Sequence, residues 1–351
     1  MIRLNMYGWN DRLNQLKQES AYNTLSHGRI AIVHRTCYEV VSDSGLYQCE
    51  LTGNMMYGKS DFELPCTGDW VLFQPFDDSK GIIVGMLPRE RTLYRKRNGT
   101  VAGKQAIASY VDKAFIVQSL DDNFNMRRVE RFMVQILEEN IHPVLILNKA
   151  DLPFDKQETE EAIRYLTRRM PVFFTSIHHP ETVSRLRDSI SEGETVVFVG
   201  SSGVGKSSLV NALCERSVLL TSDISQSTGK GRHTSTRREM VLMDGSGVLI
   251  DTPGIREFGL TVDNPDSLAE MLEISNYAEL CRFKDCTHTN EPGCAVLGAV
   301  AEGLLDIKVY ESYLKLKREA WHFSASEHEK RKKEKSFTKL VEEVKRRKAD
   351  S

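Results

Sequence analysis

A glycine-rich segment that matches the pattern GxxxxGK[ST] lies between the apolar run TVVFV and the helix-forming run SSLVNAL. With the serine that follows, its residues are Gly200, Ser201, Ser202, Gly203, Val204, Gly205, Lys206, Ser207 and Ser208. Glycines let a backbone wrap around phosphate groups, and the N–H groups at a helix N-terminus point at them. We expect Lys206 to neutralise β- and γ-phosphates and Ser207 to hold Mg²⁺. The segment therefore predicts a nucleotide-phosphate site between a strand and a helix.

A second motif, Asn148-Lys149-Ala150-Asp151, follows the apolar run VLIL. One carboxylate accepts both the N1–H and the 2-amino group of guanine, whereas adenine would set a lone pair against Asp151. We expect Lys149 to lie along the base and Asn148 to tie this loop to the phosphate loop. Thr175-Ser176 ends the next predicted strand, and the backbone of Ser176 is the expected contact to guanine O6. The two motifs together predict a site for GTP and GDP.

Two further segments have the features of nucleotide-sensing switch loops. Asp251-Thr252-Pro253-Gly254 is a DxxG pattern after the apolar run GVLI. We expect Asp251 to reach Mg²⁺ through water and the Gly254 N–H to contact the γ-phosphate. In GKGRHTST (229–236), Thr234 is the expected ligand of Mg²⁺ and the γ-phosphate, with Ser235 and Thr236 as alternatives.

The residue after DTPG is Ile255, where many GTPases have a glutamine that orients the attacking water. An aliphatic side chain cannot do this, so we expect slow intrinsic hydrolysis. His233 is the candidate that positions the water, and a switch histidine that contacts phosphate or RNA is the alternative. The predicted catalytic residues are therefore His233, Lys206 and Thr234.

The order of the motifs differs from that of an ordinary GTPase, in which the phosphate loop comes first. Here NKAD and Thr175-Ser176 precede it. This order predicts a circular permutation of the same sheet. The second switch would then lead directly into the C-terminal segment, so the nucleotide state could move that segment.

Three of the seven cysteines lie in one short stretch with a histidine. Cys281, Cys286, His288 and Cys294 offer three thiolates and one imidazole, which predicts one closed tetrahedral Zn²⁺ site. Four protein ligands leave no position for water, so a structural role is favoured over a catalytic one. Coincidental clustering of buried cysteines is the alternative.

The predicted fold is α/β and multidomain. Short runs of β-branched and aromatic residues predict a small closed barrel of the oligonucleotide-binding (OB) type, with a plain β-barrel as the alternative. Apolar strands that alternate with amphipathic helices predict a mostly parallel sheet covered on both faces. Residues 96–110 read as a basic loop.

The predicted divisions are an extension at 1–27 with one helix from Trp9 to Leu16, an OB-fold RNA-binding barrel at 28–100, a circularly permuted GTPase domain at 101–264, and an α-helical zinc-binding domain with a basic tail at 265–351.

Composition limits the partners of the chain. Its 351 residues carry 47 Lys plus Arg and 49 Asp plus Glu, and the formal charge of −2 argues against indiscriminate nucleic-acid binding. The basic tail from Lys330 to Lys348 could neutralise RNA phosphates, and a solvated helix is the alternative. Four barrel aromatics could stack on bases, although the barrel core is the favoured position for each: Tyr38, Tyr47, Trp70 and Phe73. No apolar run is long enough to cross a membrane, and no secretory signal is expected at the N-terminus.

These motifs resemble the ribosome small-subunit-dependent GTPase A family. The resemblance covers nearly the whole chain after about residue 28, and its strongest elements are GDWV, ERTLYRKRNG with VDKAFIV, NFNMRRVERF, NKAD, GSSGVGKSSLVN, GKGRHTST, DTPGIREFGL and the cysteine–histidine spacing. It implies a cytoplasmic, monomeric GTPase that binds the small ribosomal subunit, acts in its late maturation and hydrolyses GTP when the subunit stimulates it. It also implies that the barrel and the zinc module contact ribosomal RNA. The switch reads HTST where an unbroken run of threonines is commoner.

Two functions of other classes compete with this interpretation. A metabolic P-loop kinase or ATPase is opposed by Asp151, which disfavours adenine. A non-catalytic RNA-binding scaffold that is gated by guanine nucleotide stays open because of Ile255.

Overall fold

The computed structural model describes residues 2–57, 60, 62–96, 104–121, 123–214, 239–243, 245–250, 269 and 272–324. The chain divides into two compact units, Met1–Gly259 and Leu260–Ser351. In its described part, the first unit contains a closed five-stranded barrel, a two-stranded hairpin and a six-stranded sheet. The second contains the cysteine–histidine cluster.

The N-terminal segment is folded against the barrel. It forms a 3₁₀ turn (Leu4–Tyr7) and helix α1 (Asp11–Glu19), whose first turn is capped by the Asn10 side chain, which accepts a hydrogen bond from the Leu13 N–H (3.0 Å). Helix α1 is the helix predicted for Trp9 to Leu16, shifted towards the C-terminus. The indole of Trp9 lies 4.1 Å from the ring of His27 and 4.9 Å from that of Trp70 (centroid distances). The segment is therefore part of the first unit's core.

The barrel consists of β1 (Ser26–Val33), β2 (Tyr38–Ser42), β3 (Gly45–Leu51), β4 (Trp70–Asp77) and β5 (Lys80–Met86), with the short helix α2 (Gly53–Met56) after β3. The strand order is β1-β2-β3-β5-β4, and β1 closes the barrel by pairing antiparallel with β4. The β3–β5 pair is parallel. The prediction of a small closed barrel is confirmed, and it has five strands.

The four barrel aromatics that could have stacked on bases are buried. Tyr38, Tyr47, Trp70 and Phe73 are each less than 10% exposed. Tyr47 and Phe73 pack with a centroid distance of 5.1 Å. The favoured interpretation of these side chains as barrel core is therefore correct, and stacking on RNA by them is excluded.

A β-hairpin follows the barrel. Strands β6 (Leu93–Lys96) and β7 (Lys104–Ala108) pair antiparallel. The prediction of a loop over residues 96–110 is thus wrong for β7. Ala106, Ile107 and Ala108 are buried there. Burial of these apolar side chains favours a strand in spite of the loop-like composition around them.

The six-stranded sheet has the order β10-β9-β8-β11-β13-β12. Its strands are β8 (Lys113–Ser119), β9 (His142–Asn148), β10 (Val172–Thr175), β11 (Thr195–Val199), β12 (Met240–Leu242) and β13 (Val248–Ile250). All neighbouring pairs are parallel except β12–β13. Strand β12 is not predicted by the sequence pattern. Just before β12, Glu239 bridges to Ile32 of the barrel, where β1 has a bulge.

Among the described residues, four helices accompany these strands: α3 (Met126–Glu138), α4 (Lys156–Ile163), α5 (Pro180–Asp188) and α6 (Lys206–Leu213). Val183 and Leu186 of α5 and Leu209 of α6 join Phe115 and Phe198 of the sheet in one core cluster. Helix α3 contacts β8 and β9. The alternation of strands and helices predicted from the sequence is confirmed.

The second unit contains, among its described residues, α7 (Ser275–Ala278), α8 (Ala295–Ala301) and α9 (Ile307–Ser324). The four cysteine and histidine residues lie in the segment between the end of α7 and the start of α8. None of the helices among the described residues is both long and apolar enough to span a membrane.

Arg29 of β1 is a buried cation whose hydrogen-bond acceptors come from several segments of the first unit. Its side chain is 1% exposed, and its guanidinium lies over the Trp70 ring with the carbon 5.6 Å from the centroid. Nη1 donates to Thr195 Oγ1 (2.8 Å) at the start of β11 and to the Tyr7 carbonyl. Nε donates to the Gly68 carbonyl (2.9 Å). One side chain thus joins the barrel, the N-terminal segment and the six-stranded sheet.

Burial lowers the pKa of Arg29 to about 10, with Asp112 opposing this effect. The guanidinium therefore stays positively charged at neutral pH. Carbonyl and hydroxyl acceptors, rather than a directly bonded carboxylate, compensate its desolvation.

Arg29→Met should destabilise the chain by roughly 3 kcal/mol, because several buried acceptors lose a charged donor. The measurement is urea unfolding of the nucleotide-free protein. Arg35→Met, at an exposed position in the turn after β1, is the matched control and should change stability by less than about 0.5 kcal/mol. Equal effects of the two substitutions would contradict the assigned role.

Candidate nucleotide site and metal centre

The phosphate loop connects β11 to α6 and depends on three glycines with positive φ. Gly200, Gly203 and Gly205 have φ values of 149°, 83° and 92°. A Cβ on Gly200 would lie 2.4 Å from the Val117 carbonyl oxygen of the neighbouring strand. Only glycine fits this backbone path without strain. The loop therefore has the local geometry that its sequence pattern predicts.

The ammonium of Lys206 lies against the carbonyls of the loop. Nζ donates to the carbonyl oxygens of Gly200 (2.7 Å) and Ser201 (2.6 Å). A cation at this place can neutralise the phosphates of a bound nucleotide. Ser207 and Ser208 are half-buried in the first turn of α6, and Ser202 is exposed at the loop.

The NKAD motif begins at the carboxyl end of β9, two strands away from β11. The Asn148 side chain connects the two loops, since Nδ2 donates to the Val204 carbonyl (2.8 Å). Its Oδ1 accepts from Thr175 Oγ1 (3.1 Å) at the end of β10. A Cβ on Gly205 would lie 2.3 Å from Asn148 Nδ2, so this glycine also makes room for the connection.

Lys149 is held by an ion pair that the sequence did not predict. It has a φ of 61°, and its Nζ lies 2.8 Å from Asp121 Oδ2 after β8. Burial alone would raise the pKa of Asp121, but hydrogen bonds from Lys149 and Ser119 lower it to about 2. Asp121 is therefore ionised at neutral pH, and the aliphatic part of Lys149 is fixed in place.

Asp151 is the expected guanine reader. The Ser176 hydroxyl donates to Asp151 Oδ1, and this hydrogen bond lowers the pKa of Asp151. The same hydroxyl accepts from the His178 N–H (3.1 Å). The sequence predicts a role only for the backbone of Ser176 and gives no signal for this orienting contact of its hydroxyl. An ionised carboxylate with a fixed orientation can accept two parallel N–H groups of a base.

The structure brings NKAD, Thr175-Ser176 and the phosphate loop together at the carboxyl edge of one sheet. The predicted residues His233, Thr234, Asp251 and Gly254 lie outside the described residues, as do Ile255 and the basic tail. A further contact, from Arg128 Nη1 to Ser201 Oγ (3.0 Å), was also missed. Its sequence signal is weak, because the partners are far apart in the chain.

The second unit brings the predicted metal ligands together. The ligand atoms of Cys281, Cys286, His288 and Cys294 all lie within 4.8 Å of one another. Cys281 Sγ is 3.9 Å from Cys294 Sγ, and His288 Nδ1 is 3.6 Å and 3.7 Å from these two sulfurs. Around a tetrahedral zinc, two thiolates lie about 3.8 Å apart, and a thiolate and an imidazole nitrogen lie about 3.6 Å apart. The residues present fit the ion.

Contacts outside the cluster fix the orientation of its ligands. His288 is 6% exposed and has a φ of 64°, and its carbonyl accepts from Tyr310 Oη (2.7 Å) of α9. Cys294 caps α8, with Sγ accepting from the Leu297 N–H (3.5 Å). Partners that orient ligands in this way are typical of metal sites.

The fold and the nucleotide-site geometry define a P-loop protein of the guanine-nucleotide-binding class with circularly permuted motifs. The fold resembles that of YjeQ from Thermotoga maritima, with 24% identity, a TM-score of 0.64 and coverage of 84% of this chain and 98% of that one. It also resembles YloQ, described as a circularly permuted GTPase, with 24% identity, a TM-score of 0.63 and coverage of 87% and 98%.

A family model described as RsgA GTPase matches residues 86–261. The chain is 74% identical over 347 residues to small ribosomal subunit biogenesis GTPase RsgA 1 of Bacteroides thetaiotaomicron, with 99% of this chain and 98% of the relative covered. It is 41% identical over 317 residues to the small ribosomal subunit biogenesis GTPase RsgA of Methanosarcina acetivorans, covering 89% and 84%. The chain belongs to the RsgA GTPase family and is a GTP hydrolase. The family resemblance found in the sequence is confirmed.

Gly205→Ala should destabilise the nucleotide-free protein more than Gly203→Ala does. Both substitutions place a side chain at a positive φ, but only the Cβ at Gly205 meets Asn148. We expect an additional loss of about 1 kcal/mol in urea unfolding from the broken contact between the loops. Equal losses would show that the Asn148 connection contributes nothing to stability.

Proposed function

We propose that this GTPase binds the small ribosomal subunit, acts in its late maturation, and hydrolyses GTP to GDP and phosphate with stimulation by the subunit. The observation that carries this proposal is the match, over nearly the whole of both chains, to a relative named as a GTPase of small-subunit biogenesis. We further propose that it works as a monomer in the cytoplasm, where these subunits mature.

In this proposal, Asp151 accepts N1–H and the 2-amino group of guanine, Lys149 lies along the base and the Ser176 backbone contacts O6. Residues Gly200 to Ser208 surround the phosphates. The fixed positions of Asp151 and Lys149 support the base contacts, because neither side chain has to be ordered when the base binds. Ser207 and Thr234 are the proposed Mg²⁺ ligands, with Asp251 acting through water and Gly254 contacting the γ-phosphate.

The chemistry requires water to attack the γ-phosphorus while negative charge moves towards the β-phosphate. Lys206 and the loop N–H groups stabilise that charge. Mg²⁺ neutralises the phosphate oxygens when it is bound. Ile255 cannot orient the water, so we assign this task to His233 and expect it to be effective only when the subunit is bound. This accounts for a low intrinsic rate and for stimulation.

The zinc site is proposed to be structural. Four protein ligands close the coordination shell, and the ligand-atom distances support this assignment. Zinc would then cross-link the segment between α7 and α8 by its four ligands.

RNA contact by the barrel is proposed to use exposed aromatics rather than the four buried ones. Phe76 of β4 is 61% exposed and Tyr57, after α2, is 92% exposed. Such side chains can stack on unpaired bases. In this proposal, residues 28–100 and 265–351 contact ribosomal RNA, and residues 101–264 bind the nucleotide.

The experiment that tests the proposed function measures phosphate release from GTP by the full chain with purified small subunits. We expect a rise of at least about tenfold over the intrinsic rate, since a partner that completes a GTPase site commonly accelerates it far more. Large subunits serve as the control for added RNA and protein, and Lys206→Ala serves as the inactive control. Absence of stimulation would favour the nucleotide-gated RNA-binding scaffold.

Asp151→Asn should weaken GTP binding and improve binding of xanthosine triphosphate. Xanthine has a carbonyl where guanine has its 2-amino group, and the amide of asparagine can donate to it. Competition of both nucleotides against a fluorescent GDP measures the change. Unchanged selectivity would refute the role of Asp151 as the base reader.

Cys286→Ala should lower the zinc content from about one ion per chain to well below that value, because three ligands hold zinc far less tightly than four. Metal analysis of the purified protein by mass spectrometry measures it. Cys214→Ala, outside the cluster, is the control and should keep its zinc. Full occupancy in Cys286→Ala would show that the ligands are misassigned.

A further inference from the structure

One arginine next to the phosphate loop has no role in the nucleotide site as described so far. Arg128 lies in the first turn of α3, and its Nη1 donates to Ser201 Oγ (3.0 Å) and, at 3.5 Å, to the Asn123 carbonyl. Within the described part of the chain, it has no carboxylate partner. The sequence separates Arg128 and Ser201 by 73 positions, so the contact is a product of the fold.

The position of Arg128 in its helix is electrostatically unfavourable. Helix α3 begins after the cap Asn125 and has no acidic residue in its first turn, which instead contains Arg127 and Arg128. The N-terminus of a helix carries a partial positive charge, so cations there cost stability and anions restore it. Such unfavourable charges at a helix terminus are expected beside a binding site, where a bound ligand of opposite charge compensates for them.

Ser201 is contacted by two cations, one at the end of its own loop and one from helix α3. Lys206 Nζ donates to its carbonyl (2.6 Å), and Arg128 donates to its hydroxyl (3.0 Å). The lysine of this motif serves the β- and γ-phosphates. The residue that Arg128 contacts is therefore at the terminal-phosphate end of the site, where GTP and GDP differ.

We propose that Arg128 is a positioning residue that fixes the phosphate loop through Ser201 and adds positive charge at the γ-phosphate end, so that the site prefers GTP to GDP. The proposal rests on the proposed nucleotide site. The additional negative charge of the triphosphate gains from this cation, while the diphosphate gains much less. Arg128 acts through Ser201, and no direct contact with the nucleotide is required.

The test compares the Kd values of GDP and a non-hydrolysable GTP analogue for the full chain. Arg128→Gln should weaken binding of the analogue about tenfold and that of GDP less than about threefold. Arg128→Lys, which keeps the charge, should recover part of the preference. Arg127→Gln removes the same charge from the same helical turn at an exposed position without a loop contact, and it should bind both nucleotides like the wild type.

A double-mutant cycle tests the route through Ser201. Arg128→Gln should have a smaller effect in a Ser201→Ala background than in the wild type, because the contact is already lost. Equal weakening of both nucleotides, together with a lower melting temperature without nucleotide, would overturn the proposal in favour of a purely structural role. A wild-type preference for the triphosphate in Arg128→Gln would also overturn it. Failure of the wild type to bind either nucleotide would instead refute the nucleotide site itself.

Discussion

The hydrogen bond from Asn148 Nδ2 to the Val204 carbonyl is the interaction on which the nucleotide site depends. It joins a loop after β9 to a loop after β11, with β8 between these strands. One loop has the proposed base reader and the other the proposed phosphate cradle, so the proposed site requires both loops. The contact also explains why permuting the chain preserves the site: permutation changes which strand ends are connected, but it leaves the neighbours in the sheet and the tether between their loops unchanged.

In the same site, hydrogen bonds orient two carboxylates. Burial raises the pKa of Asp121, but hydrogen bonds from Lys149 and Ser119 outweigh this effect and lower it, and a hydrogen bond from Ser176 lowers the pKa of Asp151. In the proposed site, binding of guanine would then require little reorganisation of these side chains. At the other end of the same sheet, Arg29 fixes the start of β11 to the barrel, so the strand that leads into the phosphate loop is anchored at its amino end.

Short local patterns predicted most of the fold and much of the candidate site. The phosphate loop, NKAD, the closed barrel and the cysteine–histidine cluster each depend on residue types at fixed spacings, which the sequence displays. Burial of Arg29 could not be predicted, since a charged residue in an alternating strand normally faces water and its acceptors come from distant segments. Strand β12 could not be predicted, because three residues are too few to show the alternation of a strand. The contacts of Arg128 and of the Ser176 hydroxyl likewise depend on the tertiary fold.

The bulge in β1 affects how readily copies of this protein can associate through the edge of the six-stranded sheet. A sheet with free edges offers unpaired backbone groups to any passing strand. The two edge strands of the six-stranded sheet are short, with four residues in β10 and three in β12. Next to β12, Glu239 already pairs with Ile32 at the bulge. The barrel thus pairs with the margin of the six-stranded sheet at one position next to β12, which among the described residues leaves fewer backbone groups there for intermolecular strand addition or aggregation.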